Sequence, residues 1–315
     1  MKNKNLDLSP EEFDIEELLQ TKDPLKNFVR AYLYPILNFI STLWLSFRYS
    51  SKQFSPDFWL WNQRGNDYPR LRHRVNKFKK ISDSEILIAG CGSGKDTPSW
   101  LIYKPKKIIG VDLFDYTKSW QKVKSFSRKI NPHTSIEMYQ GNLESLENIE
   151  NESLDIVASD AVFEHIRNLN PVLSEFYRVL KPGGVLYATF GPMWFSWGGD
   201  HHSGNDDLNN GYNHLLLSKK FYQSYINVDK SLSHCENDGR TWIKENLFSY
   251  LRPGEYLDHL NKCGFRKLQF GVIFEPRALK YSKQNPEIWK KLRDNNSAID
   301  LLLTGMTIIY EKPKF

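Results

Sequence analysis

Between Glu85 and Phe190 short apolar runs alternate with amphipathic stretches, and this alternation restricts the chain to an α/β architecture. The runs are "EILIAG", "KKIIGVDL", "SIEMYQGNL", "LDIVASD" and "VLYATF". Between them lie "GKDTPSWLIYK", "YTKSWQKVKSFSRKI", "AVFEHI" and "NPVLSEFYRVL", of which the second carries Trp120, Val123 and Phe126 or Ser127 on one helical side. Strands joined through helices are parallel neighbours, so the pattern predicts a doubly wound parallel sheet. "KPGG" is expected to break the preceding helix and lead into the fifth strand. Further on, "PGEYLDHLNKCGF" reads as a helix, "RKLQFGVIFE" as a sixth strand and "MTIIYEK" as a seventh, the last pair antiparallel.

The first apolar run ends in "AGCGSGKDT", residues 89–97. A phosphate-binding loop would need glycine at Ala89 and a hydroxyl at Asp96, where a carboxylate would repel phosphate. A dinucleotide fingerprint would need glycine at Lys95. What remains is a turn through Gly90, Gly92 and Gly94 that allows close backbone approach to a ligand without phosphates. Lys95 is expected on the first helical turn facing solvent, and Asp96 at the positive end of that helix.

Composition is that of an ordinary globular protein, with 40% hydrophobic and 25% charged residues in 315. The net charge of +6 is too small to mark a nucleic-acid binder by itself. Basic residues do crowd from Arg64 to Lys80, which reads either as a solvated helix face or as a surface for an acidic ligand. Cys91, Cys235 and Cys263 are too scattered for a disulfide framework or a zinc site, so a reducing, cytoplasmic setting is expected. Residues 31–47 are uncharged over about the shortest length that spans a bilayer. Pro35 and Asn38 favour instead a helix that packs on the protein or lies at a membrane surface. The expected layout is an N-terminal helical extension over 1–80 and a catalytic domain over 81–315. Insertions at 191–250, a substrate lid, and 276–304 interrupt the domain.

Five motifs in order, "ILIAGCGSG", "IIGVDL", "GNLESL", "LDIVASDAVFEHI" and "RVLKPGGVLYATF", resemble the class I S-adenosylmethionine-dependent methyltransferases. The resemblance covers residues 85–190 closely and 253–315 loosely. It implies a Rossmann-like, seven-stranded, mostly parallel sheet with an antiparallel last strand, and S-adenosyl-L-methionine as cofactor. It places the cofactor against Gly90, Cys91, Gly92, Gly94 and Leu113, with Asp112 at the ribose, Asn142 and Leu143 at the adenine, and Asp160 at the methionine ammonium. The chain departs from the family at Ile88, often acidic in relatives, and at Asn142, where Asp is commoner.

Methyl transfer to oxygen needs alignment and removal of a proton. The candidate bases are His165, after the fourth strand, and His201 or His202 in "GPMWFSWGGDHHSGNDD". The cluster of Asp200, His201, His202 and Asp206 matches no metal-ligand spacing, so no metal is expected, and a hydrogen-bonded loop clamp is an equal reading. Trp194, Trp197 and His214 could wall an acceptor or simply pack the insertion. The expected acceptor is a small molecule or glycan. Nucleic acid is disfavoured because the fourth strand ends "SDAV", and contact with a membrane surface through 31–47 stays open. An RNA methyltransferase and a non-catalytic cofactor-binding subunit are the rival readings.

Overall fold

The computed structural model describes residues 68–94, 96–205, 207–228 and 239–314. The apolar stretch 31–47, most of the expected extension 1–80, Arg64, Lys95, Asp206 and Cys235 lie outside the described residues. Seven strands form one sheet in the order β3-β2-β1-β4-β5-β7-β6. They are β1 (Glu85–Ala89), β2 (Lys107–Asp112), β3 (Ser135–Gln140), β4 (Leu154–Asp160), β5 (Leu180–Phe190), β6 (Arg266–Phe274) and β7 (Leu303–Glu311). Parallel register joins Ile86 to Ile108 and to Ile156, and Ile108 to Ile136. The order reverses between β1 and β4, and in open α/β sheets such a switch point is where ligands bind, outside the carboxyl ends of the strands.

The Cα framework separates into two compact units. One contains residues 68–158, Glu175–Tyr187 and the chain from Glu311; the other contains Ser159–Ser174 and Ala188–Tyr310. In the first, Ile86, Leu87, Ile88 and Ala89 are all buried, as a parallel strand covered on both faces requires. The helix Thr117–Ile130 buries Trp120, Val123, Phe126 and Ser127, the face its spacing predicts. The seventh strand runs against the fifth: Gly183 N–H donates to Lys312 O at 2.7 Å, and the Thr189 and Thr307 hydroxyls meet at 3.1 Å.

One local expectation is corrected. "KPGG" does not separate helix from strand, because the helix Leu169–Val179 passes directly into an 11-residue β5 that includes it. Lys312 explains this: its backbone pairs with Gly183 and Gly184, so the glycine pair is recruited into the ladder. The segment between β6 and β7 is compact and helical, with helices Pro276–Gln284, Pro286–Arg293 and Ala298–Leu302.

The basic segment is corrected as well. In the helix Tyr68–Phe78, Arg72 is fully buried. Its guanidinium lies over the Trp100 ring at 4.1 Å, donates to Ser99 Oγ at 3.1 Å and pairs with Asp96 at 3.3 Å. Asp96 thus answers a buried cation as well as sitting near a helix start. Lys79 pairs with Asp155 at 3.1 Å, which removes a second member of the basic cluster. Breaking a buried pair leaves one charge without its partner. Asp96→Ala is expected to cost about 3 kcal/mol in urea unfolding, and adding Arg72→Met should recover part of that loss.

Candidate active site

The glycine turn follows from β1. Gly90, Gly92 and Gly94 all have positive φ, at 72°, 50° and 80°, a region that L side chains rarely occupy. The Gly90 and Cys91 N–H groups both donate to Val111 O, at 2.8 and 3.1 Å. Asp112, ending β2, accepts from Gly92 N–H through Oδ2 at 2.7 Å and from Phe114 N–H through Oδ1 at 3.0 Å. Trp120 Nε1 donates to Gly92 O at 2.7 Å, so the Gly92 peptide is held on both sides. A Cβ placed on Gly92 would meet no described atom within 4 Å, leaving that face of the turn open. Burial raises the pKa of Asp112, an effect opposed by the N–H groups of Phe114 and Gly92.

The other residues expected around this turn divide by role. The Cys91 thiol is buried, and a Cβ on Gly110 would lie 3.0 Å from its sulfur, so this side chain packs the core and only its backbone lines the turn. Burial holds the thiol protonated. Leu113 is exposed and Leu143 is buried. Asn142 spends one lone pair of Oδ1 on Glu144 N–H at 3.0 Å, fixing the turn after β3. In the second unit, β4 ends at Asp160, and the next residue, Ala161, has a positive φ of 56° and donates to Thr189 O at 2.7 Å.

That second unit holds the histidines. Phe163–His165 is a single 3₁₀ turn. Glu164 is buried and accepts from Gly191 N–H through Oε1 at 3.0 Å, while Oε2 has no hydrogen-bond partner among the described residues. Desolvation pushes its pKa up to about 8. His165 Nδ1 meets Leu247 O at 2.8 Å and, since a carbonyl only accepts, must carry the proton. The ring stacks on Trp242 at 4.3 Å and lies 4.8 Å from the His201 ring. Burial lowers His165 to about 4 and His201 to about 3, so both imidazoles are neutral at neutral pH. His201 itself has a positive φ of 61°, which turns it away from the neighbouring His202.

"DHHSGNDD" therefore divides between two tasks. Asp200, fully buried, accepts from His202 N–H, Ser203 N–H, Ser203 Oγ and Tyr222 Oη, at 3.1, 2.7, 2.7 and 2.6 Å. Its oxygens are spent on clamping the loop. The His202 ring lies edge-on to Tyr225 at 5.1 Å. His214 is buried, donates through Nε2 to Trp194 O at 2.8 Å, and stands 3.9 Å from Asp200. Trp197 is buried with Arg277 over its ring at 3.9 Å and Gly204 and Gly211 against its edge. These two residues pack the loop. Trp194 remains partly exposed, 4.8 Å from Phe248, which also approaches the rings of His165 and His201 at 5.5 and 5.8 Å. Glu164 and His165, adjacent in "FEHI" after the fourth strand, are joined in the structure by His201.

Residues 87–188 match the family model described as a methyltransferase domain. The chain carries this methyltransferase-like segment within a longer sequence. Over 38% of the chain it is 34% identical to an uncharacterized methyltransferase of Schizosaccharomyces pombe, covering 45% of that protein. It is 30% identical over 42% of the chain to a probable S-adenosylmethionine-dependent methyltransferase of Mycolicibacterium smegmatis, covering 46% of it. It is 27% identical over 45% of the chain to a malonyl-[acyl-carrier protein] O-methyltransferase of Yersinia pestis, covering 51% of it. The chain thus spans about half the length of the curated relatives it matches. Among the described residues no helix is long and apolar enough to cross a membrane.

Two measurements follow from this packing. Because His165 and His201 have pKa values below their unfolded value of about 6.5, their contribution to stability is complete above that pH and is lost as pH falls toward about 4. Glu164, raised to about 8, works in the opposite direction over this range, one group against two, so the melting temperature should fall between pH 6.5 and 4.5 in the wild type and nearly level off in His201→Gln, as read by scanning fluorimetry. Gly211→Ala would drive a methyl group into the Trp197 indole, and it should lower stability by about 2 kcal/mol or more in chemical denaturation.

Proposed function

We propose that this chain is an S-adenosylmethionine-dependent methyltransferase whose acceptor is a hydroxyl group of a small molecule or glycan. The observation that carries the cofactor reading is the pairing of Asp112 with an open glycine turn. Gly92 leaves space for close approach, and the Asp112 carboxylate, which accepts from the backbone N–H groups of Gly92, Phe114 and Leu113, has acceptor capacity left for a ribose hydroxyl. The cofactor, when bound, supplies an electrophilic methyl group on a sulfonium. Gly90, Gly92 and Gly94 would line its path, and Asn142 and Leu143 would lie at the adenine.

The acceptor reading rests on His165 and His201. Two neutral imidazoles whose Nδ1 atoms are occupied by backbone carbonyls keep Nε2 lone pairs that can take a hydroxyl proton. Trp194 and Trp242, both partly exposed, offer the apolar and stacking faces that sugars and small aromatic acceptors use. The relatives do not choose for us, since sterol 24-C-methyltransferase and arsenite methyltransferase stand among them beside O-methyltransferases. The earlier placement of His202, Trp197 and His214 at the acceptor is less favoured, because the loop clamp and its packing occupy them. A role of residues 191–250 as a substrate lid, and membrane-surface contact through 31–47, belong to the same proposal.

The test is release of S-adenosylhomocysteine from the full chain with panels of hydroxylated small molecules and oligosaccharides. Asp112→Ala should raise KM for the cofactor about thirtyfold, the loss of one charge-assisted hydrogen bond of about 2 kcal/mol. An unchanged KM would remove the ribose role from Asp112. His201→Gln should lower kcat about a hundredfold or more with little change in that KM.

A further inference from the structure

Glu164, His165 and His201 each offer one ligand atom, and these atoms lie within 4.8 Å of one another. Two imidazole nitrogens and a carboxylate oxygen are the donor set that first-row transition ions favour, whereas magnesium and calcium prefer oxygen alone. Ligands about 2.1 Å from a common ion stand about 3.4 Å apart in a tetrahedral set, so the widest pair of the trio would have to close by up to about 1.4 Å, within reach of small side-chain rotations.

The surroundings of each ligand match what a bound ion requires. His165 Nδ1 donates to Leu247 O at 2.8 Å. The Pro192 backbone hydrogen-bonds the His201 ring, and because Nε2 has no hydrogen-bond partner that bond falls to Nδ1. Metal-bound histidines characteristically donate their second ring N–H to a carbonyl or carboxylate, which fixes the tautomer and the ring plane. Glu164 is anchored in the same way, with Oε1 on Gly191 N–H and the buried Oε2 lacking a hydrogen-bond partner. Among the described residues these two sealed atoms, Glu164 Oε2 and His201 Nε2, have no hydrogen-bond partner, which is costly unless a further group satisfies them. The positive φ of His201 is the backbone arrangement that brings it to the trio.

We infer that Glu164, His165 and His201 form a binding site for a divalent first-row transition-metal ion such as zinc or iron(II). Three protein ligands leave coordination positions open, as in sites where a metal meets a substrate. Asp200, the carboxylate nearest in sequence, is excluded as a fourth ligand because it accepts four hydrogen bonds within its own loop. The inference concerns metal binding alone and stands whether or not the acceptor is a hydroxyl. In a hydroxyl methyltransferase such an ion would acidify the acceptor directly, making the histidines ligands rather than proton acceptors.

The experiment uses the untagged full chain, stripped with chelator, dialysed and titrated with Co²⁺ alone and with Zn²⁺ alone. One equivalent should bind, with visible d–d absorption for Co²⁺. His165→Ala, His201→Ala and Glu164→Gln should each weaken uptake by about a hundredfold or more. His133→Ala, an exposed histidine, should leave uptake unchanged. Circular dichroism of the metal-free variants checks their folding, and Glu164→Gln, nearly isosteric, covers the case in which an alanine variant fails to fold. No stoichiometric uptake by the folded wild type, or uptake undiminished in folded Glu164→Gln and the histidine variants, would overturn the site. Because no acceptor or cofactor is present, failure here leaves the methyl-transfer reading intact, and failure of methyl transfer leaves this result intact.

Discussion

The hydrogen bond from Gly92 N–H to the Asp112 carboxylate is the constraint on which the candidate cofactor site depends. A turn with positive-φ glycines at positions 90, 92 and 94 gains no rigidity from those three residues, which have no side chains to pack. Its shape is imposed by neighbours: Val111 O takes two of its N–H groups, Asp112 a third, and Trp120 donates to its carbonyl. Parallel pairing of β1 with β2 brings those partners into range, Ala89 lying opposite Val111. The same carboxylate that would read a ribose therefore also shapes the loop that would hold the rest of the cofactor. Glycine freedom and carboxylate placement are thus one structural feature.

A different physical problem is solved in the loop after β5. Asp200 gathers donors from two backbone groups and two hydroxyls, so a charge buried away from water is compensated within its own segment. His201 is then left to project toward His165 and Glu164, where desolvation keeps all three groups neutral in the absence of a ligand. One loop thereby separates the residues that hold it from the residue it presents. The adjacent aromatic rings of Trp242 and Phe248 fix the imidazoles by stacking and edge contacts rather than by further hydrogen bonds.

Much of this was legible in the sequence where the signal is local. The strands β1 to β5, the glycine turn, Asp112 at a strand end and the buried face of Trp120, Val123 and Phe126 follow from periodicity and turn chemistry within a few residues. What could not be read depends on partners far along the chain. Arg72 looks like part of a solvated basic face until Trp100 and Asp96 are placed beside it. "KPGG" looks like a break until Lys312 supplies its ladder partners. The two histidines of "DHHS" are equivalent on paper, and only the left-handed backbone at His201 separates them. Glu164 gave one usable signal, a carboxylate adjoining a candidate histidine, but its burial and its bond to Gly191 are tertiary facts.

The central claim is that the open glycine turn and Asp112 form a site for S-adenosylmethionine, and calorimetric titration of the full chain with S-adenosylhomocysteine tests it most directly. The account predicts saturable binding of one molecule per chain in the absence of any acceptor. A correctly folded chain that gives no binding heat even at millimolar ligand would contradict it.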